Sequence, residues 1–364
     1  MIDLSNARPA GARKLAELDT PSVVIDLDIV ERNVLRWQER CDRLGLANRP
    51  HIKTHKLVPL AKHQIATGAC GITCQKIAEA EVMADAGVED IFITYNILGG
   101  HKLSRVAGLA RRCRIAVVAD GETVIEGLSA AMAAAGLKLD VAVECDTGGR
   151  RCGVQTPASA LVLAEAIDRA PGLRFGGLMT YPPAGGRILS AAFLAEATDL
   201  CRRAGLAVDT VSSGGTPDMW IDDGLERVTE YRAGTYVYND RSLVARGTAR
   251  SEDCALTVLT TVVSRPTSDR AIVDAGSKSL TSDLLGLEGY GAVRQFEAAR
   301  IAALSEEHGH IDLSACEDRP AVGERVHILP NHVCPVSNLV DTVVLVRGDE
   351  VVALHTVDAR GCVQ

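Results

Sequence analysis

Between residues 47 and 236, short apolar runs alternate with longer stretches whose apolar residues recur every three or four positions. The short runs read as strands, at 49–53, 71–75, 90–96, 114–120, 140–146, 175–181, 209–213 and 228–234. The longer ones read as helices, as in KIAEAEVMADAG, ETVIEGLSAAMAAAG and PASALVLAEAIDRA. Eight strands alternating with helices predict a parallel (β/α)8 barrel of the TIM type. An open doubly wound sheet is the alternative that the same alternation permits. One further strand, 22–26, precedes the helical run IVERNVLRWQERCDRLG and stands outside this count. Beyond about residue 240 the helical spacing fades. CALTVLTTVVSRP, RAIVDAG, RVHILP, DTVVLVRG and EVVALHTVDARG read instead as antiparallel strands between Gly and Pro turns. The pattern therefore predicts a barrel over residues 20–242 and an antiparallel β-domain built from 1–19 and 243–364.

With 364 residues, 47% of them hydrophobic, the chain can bury a large core. A formal net charge of −8 and only 3% aromatic residues leave no electrostatic or stacking footprint for nucleic acid or an anionic membrane. No run approaches the ~18 apolar residues of a membrane span, and MIDLSNARPAGARK lacks the apolar stretch of a secretory leader. Eleven cysteines, scattered and without a CxxC pair, read as reduced thiols rather than a disulfide framework. The expectation is a cytoplasmic enzyme acting on a small molecule, with no nucleic-acid or membrane partner.

Barrels of this kind place their chemistry at the C-terminal ends of the strands. Those ends carry Lys53, Gln75, Asn96, Asp120, the loop 146–151, Tyr181, 213–216 and 232–236. SSGGTP follows the seventh strand, where Ser213, Gly214 and Gly215 would let backbone amides approach an anion ahead of a short helix near Thr216. RAGTY adds Gly234, Thr235 and Tyr236 after the eighth, and the loops after strands seven and eight are where such barrels often hold phosphate. Ordinary barrel turns are the alternative. In HIKTHK, a lysine in an apolar barrel mouth would be desolvated and its neutral amine freed for Schiff-base chemistry. Lys53 closes the strand, whereas Lys56 opens the next helix; a basic surface turn is the competing interpretation. A lysine at one strand end and a phosphate cradle across the barrel together specify a phosphorylated aldehyde cofactor, pyridoxal 5′-phosphate (PLP). In PNHVCPVSNL, His332 and Cys334 stand two apart, so on a strand both would face one side. Imidazole and thiolate suit Zn²⁺, or less softly Mn²⁺, with positions left open for substrate; a structural His beside a buried Cys is the alternative.

Taken in order, DTPSVVIDLDIVERNV, RPHIKTHK, GITCQKIAEAEVMADAGVEDI, ECDTGGRRCGV, GLMTY, SSGGTP, RAGTYVYND, VDAGSKSL, SEEHG and PNHVCPVSNL resemble the D-threonine aldolase and D-serine dehydratase family. These are fold-type III PLP enzymes with the alanine racemase fold, and the resemblance covers nearly the whole chain. It implies that Lys53 carries the cofactor, with Arg151 near its phenolic oxygen and Tyr181 near the ring or substrate. It further implies that Ser213, Gly214, Gly234, Thr235 and Tyr236 hold the phosphate, and that Arg232 faces the pyridine nitrogen. Gln75 falls in the same cofactor region, and His332 and Cys334 match the metal pair. The second residue of that pair is Cys, as in the D-serine dehydratases, where the aldolases typically have Asp. PPAGGR after Tyr181 also replaces the aldolases' His-containing loop.

By this resemblance the activity is retro-aldol cleavage of a 3-hydroxy D-amino acid to glycine and an aldehyde, with the metal binding the β-hydroxyl. The alternative is dehydration, in which Lys53 removes the α-proton and a 2-oxo acid and ammonia leave. A racemase would need a second acid–base on the opposite cofactor face, and a non-catalytic PLP-binding protein would lack the β-domain. By analogy with other two-domain members, a homodimer is expected.

Overall fold

The computed structural model describes residues 1–5, 7–9, 11 and 14–364, so part of the N-terminal segment expected in the β-domain lies outside the described residues. The first strand, β1 (Ser22–Asp26), leads into the helix Leu27–Leu44. Eight parallel strands follow: β2 (Ala47–Asn48), β3 (Ile72–Cys74), β4 (Asp90–Asn96), β5 (Arg114–Ala119), β6 (Leu139–Cys145), β7 (Leu173–Thr180), β8 (Thr210–Ser213) and β9 (Glu230–Tyr231). Their order is β2-β9-β8-β7-β6-β5-β4-β3, and a parallel bridge between His51 and Thr73 joins the two ends. The sheet is therefore a closed barrel, which excludes the open alternative. Its strands are apolar on both faces, as parallel strands covered by helices must be; β6 is buried at six of its seven positions. Inside, Phe92, Val118, Ala142 and Met179 from four neighbouring strands form one apolar cluster.

The first barrel strand differs from expectation. Only Ala47–Asn48 pairs as a strand; Pro50 has no N–H to donate, and the chain then tightens into a 3-10 turn, Ile52–Thr54. Lys53 thus stands on a turn rather than closing a strand.

At the N-terminal ends of the strands lies a belt of alternating charge. Arg49 bridges Glu230 and Asp90, Arg114 reaches Asp90 and Asp140, and Arg174 reaches Asp140 and Asp209.

The remaining strands are β10 (Leu256–Thr267), β11 (Arg270–Val273), β12 (Gly291–Val293), β13 (Arg300–Leu304), β14 (Gly309–Asp312), β15 (Arg325–Pro330), β16 (Thr342–Arg347) and β17 (Glu350–Thr356). With β1 they form a nine-stranded sheet in the order β11-β14-β13-β12-β15-β10-β1-β16-β17. β1 sits inside it, antiparallel to β10 and parallel to β16, and Val24 packs with Leu18, Leu259, Val344 and Val346. β1 thus hydrogen-bonds to β10 and β16 and belongs to this sheet. One compact unit comprises 1–36, 54–60 and 235–361, and the other 37–53, 61–234 and 362–364.

Candidate active site

Lys53 is partly buried, and its N–H donates to His51 Nδ1 at 3.4 Å. With Nδ1 accepting, His51 Nε2 donates to Gln75 Oε1 at 3.1 Å, and Gln75 Nε2 donates to the Thr94 carbonyl at 3.0 Å. Gln75 therefore ties neighbouring strand ends together through its whole carboxamide. The competing Lys56 is engaged elsewhere, its Nζ donating to Asn338 Oδ1 at 2.8 Å.

The loop 213–216 is fixed on both sides. Tyr231 Oη donates to the Gly215 carbonyl at 2.9 Å, and the Gly234 N–H donates to Thr216 Oγ1 at 3.2 Å. Gly214 has φ +100°, and a Cβ there would lie 2.3 Å from the Tyr231 ring. A Cβ on Gly215 would meet the Tyr181 ring at 2.7 Å. Gly214 has no room for a side chain, and Gly215 has room only if the Tyr181 ring moves away. The helix expected after this loop is a three-residue 3-10 turn, Thr216–Asp218, so its dipole adds little and amides and hydroxyls must do the binding.

Arg232 is buried and anchored by its fork, Nη2 donating to the Thr180 carbonyl at 2.6 Å and Nη1 to Ser212 Oγ. Ser212 Oγ in turn donates to Glu230 Oε1 at 2.5 Å. Burial pulls the guanidinium down to about 10, against the opposing pull of the Glu230 and Glu144 carboxylates.

Arg151 lies over the Tyr181 ring, 5.6 Å from its centre. Both line a cavity of about 180 Å³ together with Glu144, Asp146, Cys152 and Pro183. Glu144 was not singled out from the sequence. Burial pushes its carboxyl up to about 7, with Arg151 opposing and Asp120 adding to the shift. An acid inside the apolar run VAVEC is the signal available for it. Donor atoms of Asp120, Glu144 and Cys152 lie within 4.8 Å of one another.

In the other unit, His332 and Cys334 are not on a strand. His332 caps the short helix Val333–Leu339, and Cys334 lies in its first turn. They nevertheless hydrogen-bond each other. Burial opposes charge on the imidazole, but Cys334, Asp240 and Asp283 outweigh it and raise the group to about 9. Two hydroxyls approach the thiol, Thr54 Oγ1 at 3.2 Å and Thr235 Oγ1 at 3.8 Å. Tyr236 and Tyr238 are both buried. Among the described residues the Tyr238 hydroxyl has no hydrogen-bond partner, although its ring packs edge-on to His55 and its phenol is kept neutral by burial and by Cys334. In the chain, Thr54 directly follows Lys53 and Thr235 directly follows Gly234.

The residues fit both groups implied by the sequence. An amine, a loop closed to side chains, and an anchored arginine suit an aldehyde bearing a phosphate. An imidazole and a thiol beside an unpartnered buried hydroxyl suit a divalent ion and its water.

The alanine racemase N-terminal domain family matches residues 25–242, and a putative serine dehydratase domain family matches 255–346. D-threonine aldolase from Arthrobacter sp is 36% identical over 95% of this chain and 94% of its own. D-threo-3-hydroxyaspartate dehydratase from Delftia sp. (strain HT23) is 35% identical over 88% and 92%. The structure of D-threonine aldolase from Filomicrobium marinum superposes with a TM-score of 0.90 at 35% identity, covering 98% of this chain and 100% of that one. Structures of D-threo-3-hydroxyaspartate dehydratase include a histidine-to-alanine mutant and a cysteine-to-alanine mutant two positions later, the latter in a metal-free form. A closed parallel barrel with a mostly antiparallel sheet, matched in this way, defines an alanine racemase-like PLP enzyme. Within that class the chain belongs to the D-threonine aldolase and D-serine dehydratase family.

Proposed function

We propose that the protein is a PLP- and metal-dependent lyase that cleaves a 3-hydroxy D-amino acid to glycine and an aldehyde. The observation that carries this is the match to D-threonine aldolases over at least 94% of both chains, by sequence and by fold. Lys53 is the amine that carries the cofactor, a reading supported by its place beside His51 and Gln75 in the barrel unit. The loop Ser213–Gly214, with Gly234, Thr235 and Tyr236, receives the phosphate. Arg232 holds the pyridine nitrogen side and stays charged while anchored to Ser212 and the Thr180 carbonyl. Arg151 and Tyr181, stacked on each other, would face the cofactor's phenolic oxygen and the substrate, and Gln75 would brace that region. Bound PLP supplies the electron sink for charge left at Cα when the Cα–Cβ bond breaks. His332 and Cys334 hold the divalent ion, whose Lewis acidity lowers the pKa of the β-hydroxyl. The thiol ligand favours zinc over manganese.

Dehydration is the second reading, and Cys334 is the observation that favours it, since the dehydratase relative was altered at a His and Cys with the same spacing. In that reaction Lys53 Nζ removes the α-proton. We read the enzyme as a homodimer, with a native mass of twice 38.5 kDa.

Incubation of the holoenzyme with D-threonine and Zn²⁺ or Mn²⁺, against an L-threonine control, separates the readings. Glycine and acetaldehyde are expected; ammonia and 2-oxobutanoate would replace the aldolase by the dehydratase. Neither product from D-threonine or another 3-hydroxy D-amino acid would overturn both.

A further inference from the structure

His332 has a partner whose position is built by the surrounding chain. Its Nδ1 lies 3.1 Å from Asp283 Oδ2. Asp283 is 49 residues away in sequence, on the turn that follows the short helix Ser277–Leu280. That turn is costly to form. Thr281 and Leu285 both adopt left-handed backbone, with φ +64° and +49°, which non-glycine residues, and above all β-branched ones, rarely adopt.

The turn is held where it is by the residue next to His332. Asn331 is buried, and its Nδ2 donates to the carbonyls of Asp283 at 3.1 Å and Gly289 at 2.8 Å. Its Oδ1 accepts from Arg241 Nη1 at 2.9 Å. The Asp283 N–H donates to Thr281 Oγ1 at 3.0 Å. Asn331 therefore pins the backbone of Asp283, and the following residue receives its side chain.

We propose that Asp283 is a positioning residue, which holds the proton of His332 on Nδ1 so that Nε2 is the nitrogen presented, with Cys334, to the metal; this rests on the assignment of His332 and Cys334 as the metal pair. An imidazole ligand binds through a lone pair, and a carboxylate at its other nitrogen fixes the tautomer, orients the ring and makes the lone pair more basic. Asp283 is not itself a third ligand. Among the described residues the one set of three donors close enough to share an ion is Asp120, Glu144 and Cys152. The strained turn is the cost of bringing a carboxylate to the far side of the ring. A simple surface ion pair would need neither the strain nor the buried asparagine.

The test is metal affinity, measured on PLP-loaded protein by competition for Zn²⁺ with a chromophoric chelator. Asp283→Ala is expected to weaken zinc binding by roughly 10–100-fold, the usual cost of losing such a partner. Asp283→Asn, which can still accept from Nδ1 but carries no charge, is expected to fall between it and the parent. Excess zinc should restore turnover of both. In ¹⁵N spectra of the zinc-loaded holoenzyme, the N–H of His332 should sit on Nδ1 in the parent and be divided between the two ring nitrogens in Asp283→Ala. Zinc affinity within twofold of the parent in both variants, with an unchanged tautomer, overturns the proposal. His332→Ala and Cys334→Ala separate that outcome from failure of the metal assignment. If they bind zinc as the parent does, the metal pair is wrong; if they lose zinc while the Asp283 variants keep it, only the positioning role is wrong. Should Asp283→Ala fail to fold, Asp283→Asn carries the same comparison.

Discussion

At the scale of single residues, the two glycines of the 213–216 loop make opposite demands. Gly214→Ala combines an unfavourable φ with a clash against the buried Tyr231 ring, so it should lower stability by about 2–3 kcal/mol in urea unfolding. Gly215 has extended backbone, and its clash is with Tyr181, which is 44% exposed and can move. Gly215→Ala should therefore leave stability nearly unchanged but weaken PLP binding, read by titration of the apoenzyme. Lys53→Ala should abolish the visible absorbance of the bound cofactor, while Lys56→Ala should keep it. Glu144 gives a pH signature. Its carboxyl binds a proton more tightly folded than unfolded, so the protonated form is favoured below its ordinary value near 4.5 in both states. As pH rises from there through about 7 stability falls, and the full penalty applies above. Glu144→Gln should therefore stabilise the protein by roughly 1–3 kcal/mol at pH 8 and far less at pH 5, as compared by urea midpoints. The lysine of HIKTHK and the glycines after the seventh strand stand out from local pattern alone, although Lys53 sits on a 3-10 turn and not at a strand end. Asp283 was not, because no periodicity connects a turn residue to a histidine 49 positions later.

At the scale of elements, β4 was legible to the residue because the run IFITY is bounded by Asp90 on one side and Asn96 on the other. β2 and β9 were not, since each pairs over only two residues and the flanking chain serves as binding loops. The HxC motif was placed on a strand because its spacing suits one, yet the buried carboxylate of Asp240 accepts the Val333 N–H and the chain turns into a helix there. The charge belt shows how unequal ion pairs can be. Arg174 is 46% exposed, so Arg174→Ala should cost under about 1 kcal/mol, with the loss shrinking further in 1 M salt. Arg49 and Glu230 are 11% and 7% exposed, and Arg49→Ala would strand a buried carboxylate. It should cost about 3–5 kcal/mol, little changed by salt, in the same unfolding assay.

At the scale of the whole molecule, the class of each half was legible from its hydrophobic period, whereas the pairing partners of β1 were not. Sequence order suggested a cut near residue 243, but pairing put β1 between β10 and β16. A fragment 243–364 would expose two unsatisfied sheet edges where β1 belongs. It should show no cooperative urea transition, while the full chain should.

The interior seat of β1 also sets a timetable for synthesis. Its apolar Val23, Val24 and Ile25 emerge from the ribosome about 230 residues before the first of β10, and later still β16 follows. At roughly 5–20 residues per second, that is about 10–50 s during which a strand made for the middle of a sheet has neither neighbour. The nascent chain must be shielded through that interval, and slow translation or scarce chaperones should lower the yield of native enzyme without altering the enzyme that forms.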